Sequence, residues 1–233
     1  MNSKGDKSVL EWFPATEVFQ SEKTDVNDKH INTFICGTYQ IQHVIASQIC
    51  SGLKIWECTQ DLANYILKQG MNFHSKRVLD LGCGSGILGI LAMQLGAATN
   101  LSVLTSVTIP NVILNSPKRK QETSSRFFSG DWESFMHLLS EKYAANEEKY
   151  DYILTSETIY NSDNHIKLLN VFKHCLNVDG TVLLAAKTYY FGVGGGTRQF
   201  ESLLAEDGTM RSIVSWKCPE GVQREILRIQ FNT

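Results

Sequence analysis

The chain has 233 residues, of which 42% are hydrophobic and 20% are charged, and its formal net charge is -2. This length suits one α/β domain with a substantial core and an N-terminal extension, and the small net charge argues against an extended nucleic-acid-binding surface. No apolar stretch approaches the length of a membrane span and the N-terminus has no apolar signal-peptide segment, so we expect a soluble intracellular protein.

The N-terminal part predicts an arm followed by strands and a helix. Residues 1–28 are polar and charged around one apolar segment, and we interpret them as a mobile arm ahead of a domain at 29–233. The segment 30–45 is rich in β-branched and aromatic residues, which predicts strands. Leu62, Tyr65 and Ile66 have helical spacing, so we expect a helix from about residue 60 to residue 69, capped by Gly70.

The following segments alternate between strand and helix patterns. "RVLDLG" predicts a strand and "GILGILAMQLG" a helix, whereas "SVLTSVTIPNVILNS" is ambiguous because Pro110 limits a helix there. Strands at "SRFFSGDW", "YDYILTSETIY" and "GTVLLAAK" alternate with helices at "ESFMHLLSEKY" and "HIKLLNVFKHCL". The tail predicts two antiparallel strands around "PEG". The fold class is therefore α/β, with a mostly parallel sheet, helices on both faces and an antiparallel C-terminal edge.

The cysteines and histidines give no metal-binding pattern. The six cysteines contain no CxxC pair and no zinc spacing, and the six histidines are scattered, so we assign no metal. In a reducing compartment all six cysteines are expected to be free thiols.

A glycine-rich segment, "LDLGCGSG", places Gly82, Gly84 and Gly86 between a predicted strand and a predicted helix. Glycines at such a turn permit positive φ and close approach of a ligand to the N–H groups of the helix. The third glycine comes one residue earlier than in a dinucleotide-binding G-x-G-x-x-G, so the loop alone leaves three readings open. It could bind a dinucleotide, bind S-adenosylmethionine, or serve only as a packing turn.

"DLGCGSG" resembles motif I of the seven-strand S-adenosylmethionine-dependent methyltransferases. The segments "LKIWECTQDL", "FFSGDWESF", "LTSETIYN" and "AKTYYFGVGGG" resemble the protein-histidine N-methyltransferases, a branch of the non-SET protein methyltransferases. The resemblance runs from about Gly52 to Phe231 and implies a Rossmann-like sheet and S-adenosyl-L-methionine as the cofactor. It also implies that Asp80 faces the methionine amino group, that Asp131 accepts a hydrogen bond from the adenine amine, and that Trp132 packs on the adenine ring.

The resemblance implies two groups of site residues. Those expected to bind the cofactor are Ile55, Trp56, Glu57, Cys58, Thr59, Asp80, Gly82, Gly84, Gly130, Asp131, Trp132 and Ser156. Those expected to face the methyl acceptor are Glu157, Thr158, Tyr160 and Asn161, of which Glu157, Tyr160 and Asn161 are the candidate catalytic residues. The glycine run Gly192–Gly196 is expected to form a rim beside the substrate peptide.

Structural alternatives remain open for several of these residues. Trp56 and Trp132 could be core residues, Asp131 could be the N-cap of the helix after it, and Tyr160 could pack at a strand end. The run Gly192–Gly196 could be a flexible loop without a ligand.

One segment departs from the family pattern, in which the strand after the motif I helix ends in an acidic residue that binds the cofactor ribose. Here no acidic residue occurs between Asp80 and Glu122, and about seven residues appear to be missing around "LGAATNLSVLTS". A natural truncation, alternative processing, or omission of a segment from the sequence would each explain the difference. We favour the omission of a segment from the sequence, which leaves open whether the acidic second strand is deleted or only omitted, and we expect the ribose clamp to be incomplete.

The function implied by the resemblance is methylation of a protein histidine on its τ nitrogen, with a large-subunit ribosomal protein as acceptor. It further implies a monomer in cytoplasm and nucleus, with no direct binding of nucleic acid or membrane. Two alternatives stay open. One is methylation of lysine or another protein nitrogen. The other is a degenerate, non-catalytic binding domain, which the missing acidic strand would favour.

Overall fold

A computed structural model describes residues 14–18, 31–36, 39–45, 55–102, 108–115, 125–142 and 149–232. Within these residues the strands are β1 (Thr16–Val18), β2 (Ile31–Cys36), β3 (Tyr39–Ile45), β4 (Arg77–Leu81), β5 (Ala98–Ser102), β6 (Arg126–Ser129), β7 (Tyr150–Ser156), β8 (Leu176–Lys187), β9 (Met210–Lys217) and β10 (Arg224–Phe231). The α-helices are α1 (Glu57–Lys68), α2 (Ile87–Gln94), α3 (Thr108–Asn115), α4 (Trp132–Lys142), α5 (His165–Cys175) and α6 (Thr197–Asp207).

The central sheet has the strand order β1-β6-β5-β4-β7-β8-β10-β9. Strands β6, β5, β4, β7 and β8 are parallel to one another, while β10 is antiparallel to both β8 and β9. The predicted α/β class, with a mostly parallel sheet and an antiparallel C-terminal edge, is therefore confirmed. Strands β2 and β3 form a separate antiparallel hairpin, as the segment 30–45 predicted.

The two faces of the sheet bury two apolar clusters. Along β8, Leu183 and Ala185 belong to the cluster that includes α1, α2 and α3, while Val182 and Leu184 belong to the cluster that includes α4, α5 and α6. Successive side chains of a strand point to opposite faces, so a near-continuous apolar strand serves both clusters at once. This arrangement explains why the central strands lack the polar–apolar alternation of a half-exposed sheet. No helix in the described part of the chain is long and apolar enough to cross a membrane.

An eighth strand, β1, comes from the segment that the sequence assigned to the N-terminal arm. It pairs antiparallel with β6, and Glu17 in its middle forms ion pairs with Arg126 at 2.8 Å and with Lys142 at 3.0 Å. Hydrogen bonds from these two cations lower the pKa of Glu17. Part of the expected arm thus protects the edge of the sheet. Residues 1–13 and 19–30, including the expected boundary after residue 28, lie outside the described residues.

A strand does follow α2, at the point where the sequence left open whether the second strand is deleted or only omitted. Residues Ala98–Ser102 form β5, which pairs in parallel with β4 on one side and β6 on the other. The chain turns into it directly, because Ala97 N–H donates to Ala92 O and Ala98 N–H to Lys76 O. The strand forms because two parallel neighbours offer it hydrogen bonds on both edges, although its sequence, "ATNLS", is a weak strand former. Its described residues contain no carboxylate, as expected.

Two helices differ from the sequence expectations. Helix α1 begins at Glu57, three residues before the expected start. Helix α6 was not predicted, although Phe200 and Leu204 have helical spacing and are buried. The ambiguous segment forms α3 from Thr108, with Pro110 in its first turn, where a missing N–H costs little. Residues 103–107, including Val103 and Val107 of the ambiguous segment, lie outside the described residues.

Candidate active site

The carboxyl ends of β4, β6 and β7 carry most of the residues singled out by sequence. The glycine loop Gly82–Gly86 follows β4, Gly130–Trp132 follow β6, and Glu157 follows β7. The chain order of the strands reverses between β4 and β7, and the ends of parallel strands at such a reversal form a ligand crevice in α/β sheets. With strands spaced by about 4.8 Å, the crevice from β7 to β6 spans three intervals, or roughly 14 Å, which suits an elongated ligand.

The glycine loop is fixed by contacts on both sides. Gly82, Gly84 and Gly86 have φ of 70°, 52° and 81°, so this path favours residues without a side chain. Helix α3 holds the loop, because Thr108 Oγ1 donates to Gly84 O at 2.6 Å and Asn111 Nδ2 donates to Ser85 O at 2.8 Å. Sequence reasoning missed both polar residues. Their signal was the presence of two polar side chains in an otherwise apolar segment.

Gly82 also lies against the segment after β7. A Cβ atom placed on Gly82 would be 2.7 Å from Thr158 Cγ2, which is closer than side chains pack. Thr158 is held in turn by a hydrogen bond of 2.9 Å between its hydroxyl and that of Thr155. The glycine loop is thus packed directly on the segment expected to face the methyl acceptor.

Asp80 joins the end of β4 to the start of α2. Its Oδ2 accepts a hydrogen bond of 2.8 Å from the N–H of Gly89, one of the helix N–H groups that have no partner within the helix. Its Oδ1 is buried and has no hydrogen-bond partner among the described residues. Burial raises the pKa of Asp80 to about 7, although the bond from Gly89 opposes this shift. A cationic ligand group at Oδ1 would complete this site.

Asp131 occupies the N-cap position of α4. Its Oδ2 accepts hydrogen bonds from the N–H groups of Glu133 at 3.0 Å and Ser134 at 3.3 Å, and its Oδ1 accepts one from Lys167 Nζ at 2.8 Å. Burial acts to raise the pKa of Asp131, but these hydrogen bonds outweigh it and the pKa is lowered. The N-cap alternative is therefore what the structure shows. The expected contact between Asp131 and adenine stays a prediction.

The neighbours of Asp131 are packed against other parts of the chain. Trp132 begins α4 and packs, partly buried, on the apolar cluster of that face. Gly130 lies so close to the segment before β1 that a Cβ atom would be 2.4 Å from Ala15 Cα. The absence of a side chain at Gly130 is thus explained by the N-terminal segment.

The start of α1 borders the end of β7. Thr59 Oγ1 and Ser156 Oγ are 2.7 Å apart, so a hydrogen bond joins two residues expected to bind the cofactor. Cys58 is fully buried, whereas Ile55 and Trp56 are partly buried. Glu57 is exposed on the first turn of the helix. The structure thus brings this segment and the end of β7 together.

Glu157 is the most distinctive residue of the candidate site. Its φ of 57° is left-handed, which is uncommon for a residue with a side chain. Its N–H donates to Ala185 O at 2.9 Å, and its Oε2 accepts a hydrogen bond from the hydroxyl of Tyr190. Its Oε1 is buried without a hydrogen-bond partner in the described part of the chain, and Lys187 Nζ is 4.0 Å away.

Two neighbours of Glu157 are kept protonated. Burial, followed by the proximity of Glu157, raises the pKa of the Cys58 thiol and of the Tyr190 hydroxyl. Tyr190 therefore acts as a hydrogen-bond donor to the carboxylate. Lys187 and Tyr190 lie in the segment "AKTYYFGVGGG", but the sequence analysis assigned neither residue a role. Nothing in the local sequence pattern reveals that they lie near Glu157.

The other two candidate catalytic residues have different surroundings. Tyr160 is 49% exposed, and its ring centroid is 6.4 Å from that of Tyr190 in an edge-to-face arrangement. Asn161 caps a short 3-10 helix, and its Oδ1 accepts a hydrogen bond from Asp163 N–H at 3.0 Å. Tyr160 is thus available at the mouth of the site, whereas Asn161 has a structural contact.

The glycine run after β8 divides into two parts. Gly195 and Gly196 pack on backbone, since added Cβ atoms would be 2.2 Å from Ile159 O and 2.3 Å from Thr188 O, respectively. Gly192 and Gly194 face open space within 4 Å. Only Gly192 and Gly194 have the open space that the expected rim for a substrate requires.

Among the described residues, no group of three or more His, Cys, Asp or Glu side chains is placed to hold a metal ion. The four cysteines whose side chains the structure describes are free thiols, namely Cys58, Cys83, Cys175 and Cys218. The side chain of Cys36 and the whole of Cys50 lie outside the described part.

Comparison with known proteins identifies the family. A family model described as lysine methyltransferase matches residues 40–192. Relatives from Bos taurus and Rattus norvegicus, both named histidine protein methyltransferase 1 homolog, are 42% identical to the chain over 77% and 96% of its length. EEF1A lysine methyltransferase 3 from Mus musculus is 27% identical over 70% of this chain and 68% of its own length. The alignments cover 55% of the Bos taurus relative and 64% of the Rattus norvegicus relative, so the chain spans less than two thirds of their length.

Solved structures share the fold at lower identity. A Streptococcus mutans protein assigned as a SAM-dependent methyltransferase matches with a TM-score of 0.63 and 13% identity, over 91% of this chain and 57% of that one. Magnesium protoporphyrin IX methyltransferase from Synechocystis, solved with bound SAH, matches with a TM-score of 0.50 and 13% identity, over 77% of this chain and 89% of that one. The chain therefore belongs to the methyltransferase family described as lysine methyltransferase, in which relatives 42% identical to it are named histidine protein methyltransferase 1 homolog.

Proposed function

We propose that this chain is an S-adenosylmethionine-dependent protein-histidine N-methyltransferase that modifies the τ nitrogen. The observation that carries the proposal is that Glu157, which precedes the residue packed on Gly82, keeps its Oε1 buried without a hydrogen-bond partner among the described residues. An imidazole N–H is a fitting partner for this oxygen. The names of the relatives at 42% identity support the same activity.

The residues around the glycine loop fit the proposed cofactor. Asp80 Oδ1 is a buried hydrogen-bond acceptor without a partner in the described chain, and the amino group of S-adenosylmethionine could donate a hydrogen bond to it. The left-handed glycines expose backbone to a ligand at the start of α2. When bound, S-adenosylmethionine supplies an electrophilic methyl group on a sulfonium. The relative from Synechocystis that was solved with SAH agrees with this choice of cofactor.

At the acceptor end, the protein has to orient one nitrogen of a neutral imidazole. Glu157 Oε1 accepts the Nδ1–H of the substrate histidine, which selects the tautomer whose Nε2 carries a lone pair. Transfer of a methyl group to Nε2 would leave the imidazole positively charged, and the carboxylate of Glu157 would stabilise that charge. The Nδ1 proton is then lost to solvent. Holding N, C and S in line is the main catalytic requirement.

The structure favours Glu157 over Asn161 for this role, because the Asn161 side-chain oxygen already caps the 3-10 helix. Tyr160 is half exposed next to Tyr190 and is suited to contact the substrate at the entrance. Thr158 packs on Gly82 and thereby sets the distance between the two ends of the site.

We also propose that the acceptor is a histidine of a large-subunit ribosomal protein, in cytoplasm and nucleus, and that the chain acts as a monomer without binding nucleic acid directly. This proposal rests on the sequence resemblance. Incubation of ribosomal proteins with the enzyme and labelled cofactor, followed by mapping of the labelled residue, would test it. Label only on other proteins would contradict it.

The activity itself is tested with paired peptides that differ only by a His→Ala substitution. We expect methylation of the histidine peptide alone, with the methyl group on the τ nitrogen when the product is hydrolysed and separated. Equal labelling of the two peptides would contradict the proposal. A lysine-containing peptide in the same assay tests the second candidate, lysine methylation, which the description of the family model favours.

The non-catalytic alternative rests on the lack of a carboxylate in the described part of β5. Calorimetric titration of S-adenosylmethionine into the 233-residue chain would distinguish it from an enzyme. A carboxylate that accepts two ribose hydroxyls contributes charge-assisted hydrogen bonds of roughly 1.5–3 kcal/mol each, so its loss weakens binding by about 10²-fold or more. Micromolar binding would support an enzyme, whereas no binding by the folded chain would support the non-catalytic reading.

A further inference from the structure

Lys187, the last residue of β8, places its ammonium group among two aromatic rings and two carboxylates. Its Nζ lies 5.3 Å from the ring centroid of Trp56 and 5.7 Å from that of Tyr190. It is also 4.0 Å from a carboxylate oxygen of Glu57 and 4.0 Å from Oε1 of Glu157. Only 21% of the Lys187 side chain is exposed, so this arrangement is largely enclosed by protein.

The four partners form what we name the ammonium cage: Trp56, Glu57, Glu157 and Tyr190. Aromatic faces and carboxylates are the groups that bind lysine and methylated-lysine side chains in proteins. Here the cage is filled by an ammonium group of the chain itself. A substrate lysine that approached Glu157 would meet this positive charge at close range.

We propose that Lys187 is a specificity-determining residue that excludes lysine as the methyl acceptor and admits histidine. The inference rests on the proposed function only in assuming that the acceptor binds at Glu157. The ammonium group of Lys187 repels a protonated lysine and offsets the attraction from Glu57 and Glu157, and the ordinary lysine pKa of about 10.4 means that a substrate lysine arrives charged. A histidine, with an ordinary pKa of about 6.5, arrives largely neutral at pH 7. Repulsion of a competing lysine substrate by Lys187 would thus provide specificity by disfavouring the wrong substrate.

Lys187 also sets the net charge that faces the acceptor. The titratable and charged groups around it come from four elements or their ends: Glu57, Cys58 and Asp61 on α1, Glu157 after β7, Tyr190 after β8, and Arg224 on β10. Cys58 and Tyr190 remain neutral because burial and Glu157 raise the pKa of each. Asp61 and Arg224 form an ion pair and offset one another. The charges left are two carboxylates and Lys187, so the acceptor faces a net charge of about -1 with Lys187 and about -2 without it. Lys187 therefore offsets part of the attraction that the two carboxylates exert on a cationic acceptor.

A lysine-to-methionine substitution separates this role from packing. Lys187→Met keeps an unbranched side chain against Trp56 and Tyr190 but removes the charge. The matched control is Lys173→Met, which removes an ammonium paired with Asp207 near the C-terminal end of α5, close to the start of β8 and thus at the other end of that strand from Lys187. Circular dichroism and thermal unfolding would establish that both variants fold.

The first measurement compares methylation of matched histidine and lysine peptides. In Lys187→Met we expect the histidine-to-lysine ratio of kcat/KM to fall by about tenfold or more, because the repulsive charge is gone. We also expect the acidic limb of kcat for the histidine peptide to move up by about one pH unit, since two uncompensated carboxylates favour the protonated imidazole. Ratios within twofold of Lys173→Met, with an unmoved acidic limb, would overturn the proposal.

The second measurement does not require turnover. Methylammonium is titrated into the wild-type chain, Lys187→Ala and Lys187→Arg, with binding followed by calorimetry and folding checked as above. Binding by Lys187→Ala alone is expected, because only the truncated side chain leaves the ammonium cage empty; equal behaviour of the three chains would contradict the proposal that Lys187 fills the cage. If the wild-type chain labels the His→Ala peptide as well as the histidine peptide, the proposed function fails, while this titration still decides whether Lys187 fills the cage.

Discussion

The two ends of the candidate active site use their carboxylates differently. At the end proposed to bind the cofactor, Asp80 and Asp131 each accept hydrogen bonds from backbone N–H groups at the start of a helix. At the acceptor end, Glu157 meets the side chains of Tyr190 and Lys187. Asp80 and Asp131 hold the backbone in place around the proposed cofactor site, whereas Glu157 sets the charge beside the proposed acceptor. Substitutions at the cofactor end should therefore change binding, and those at the acceptor end should change turnover.

Of the proposed variants, Glu157→Gln is expected to show the largest difference between its effect on turnover and its effect on cofactor binding. The amide keeps the shape of the side chain but no longer selects the reactive tautomer or stabilises the imidazolium, so we expect kcat to fall by about 10³-fold. The Kd for S-adenosylmethionine should stay within about twofold, as measured by calorimetry. Glu201→Gln on α6, which loses an ion pair with Arg198, is the control and should change neither value. A kcat within tenfold of the wild-type value would contradict the proposed catalytic role of Glu157.

Gly82→Ala tests the point where the two ends touch. The added Cβ atom meets Thr158 at 2.7 Å and a left-handed backbone, so we expect S-adenosylmethionine to bind about 10²-fold more weakly and kcat to fall as well. Gly70→Ala is the matched control, because Gly70 has a similar left-handed backbone, with φ of +60°, but no atom within 4 Å of an added Cβ. It should cost only the left-handed strain of about 1–2 kcal/mol in unfolding free energy. Equal cofactor binding by the two variants would show that the contact with Thr158 is unimportant.

The smallest expected effect concerns the pH dependence of cofactor binding at Asp80. Its pKa is raised to about 7, so the carboxylate of the free chain becomes protonated as the pH falls below that value. The cationic amino group of the cofactor favours the ionised form, so affinity should weaken about tenfold per pH unit below pH 7 and level off above it. Calorimetric titrations from pH 5 to pH 8 would measure this slope.

The control variants for this prediction keep the backbone contacts. Asp80→Asn retains an oxygen that can accept from Gly89 N–H and should remove the slope. Asp151→Asn, whose carboxylate accepts Arg77 N–H at 2.9 Å, should retain it. Without cofactor, the stability of the fold depends on pH in the opposite direction to cofactor affinity. Because the folded pKa of Asp80 is above the unfolded one, the contribution of Asp80 to the unfolding free energy decreases as the pH rises from about 4 to 7. A flat affinity profile in the wild type would contradict the role of Asp80.

Most of the fold could be predicted because its local signals agree with its tertiary environment. The apolar runs at β4, β7 and β8 and the helix patterns between them all form the expected elements. The misses have physical causes. The three residues of β1 carry no strand signal of their own and become a strand by pairing with β6. The sequence of β5 carries only a weak strand signal, and its position between β4 and β6 makes it a strand.

The candidate site was predicted in part for the same reason. The N-cap reading of Asp131 was available from the sequence, because a cap depends on residues two and three positions further along. The contacts of Lys187 were not, since Trp56 lies 131 positions earlier in the chain. The roles of the cofactor-binding residues, including Ile55 and Ser156, remain predictions that the titrations would test.

The sequence by itself determined the α/β class, the glycine loop and the family resemblance, because hydrophobic periodicity, turn chemistry and motif order are local properties of the chain. Only the tertiary structure decided that β5 exists, that Glu157 keeps one carboxylate oxygen buried without a hydrogen-bond partner in the described chain, and that Lys187 fills the ammonium cage. These features depend on strand pairing and on charges brought together from distant segments. Such distances are set by the packing of the whole sheet, which no local pattern encodes.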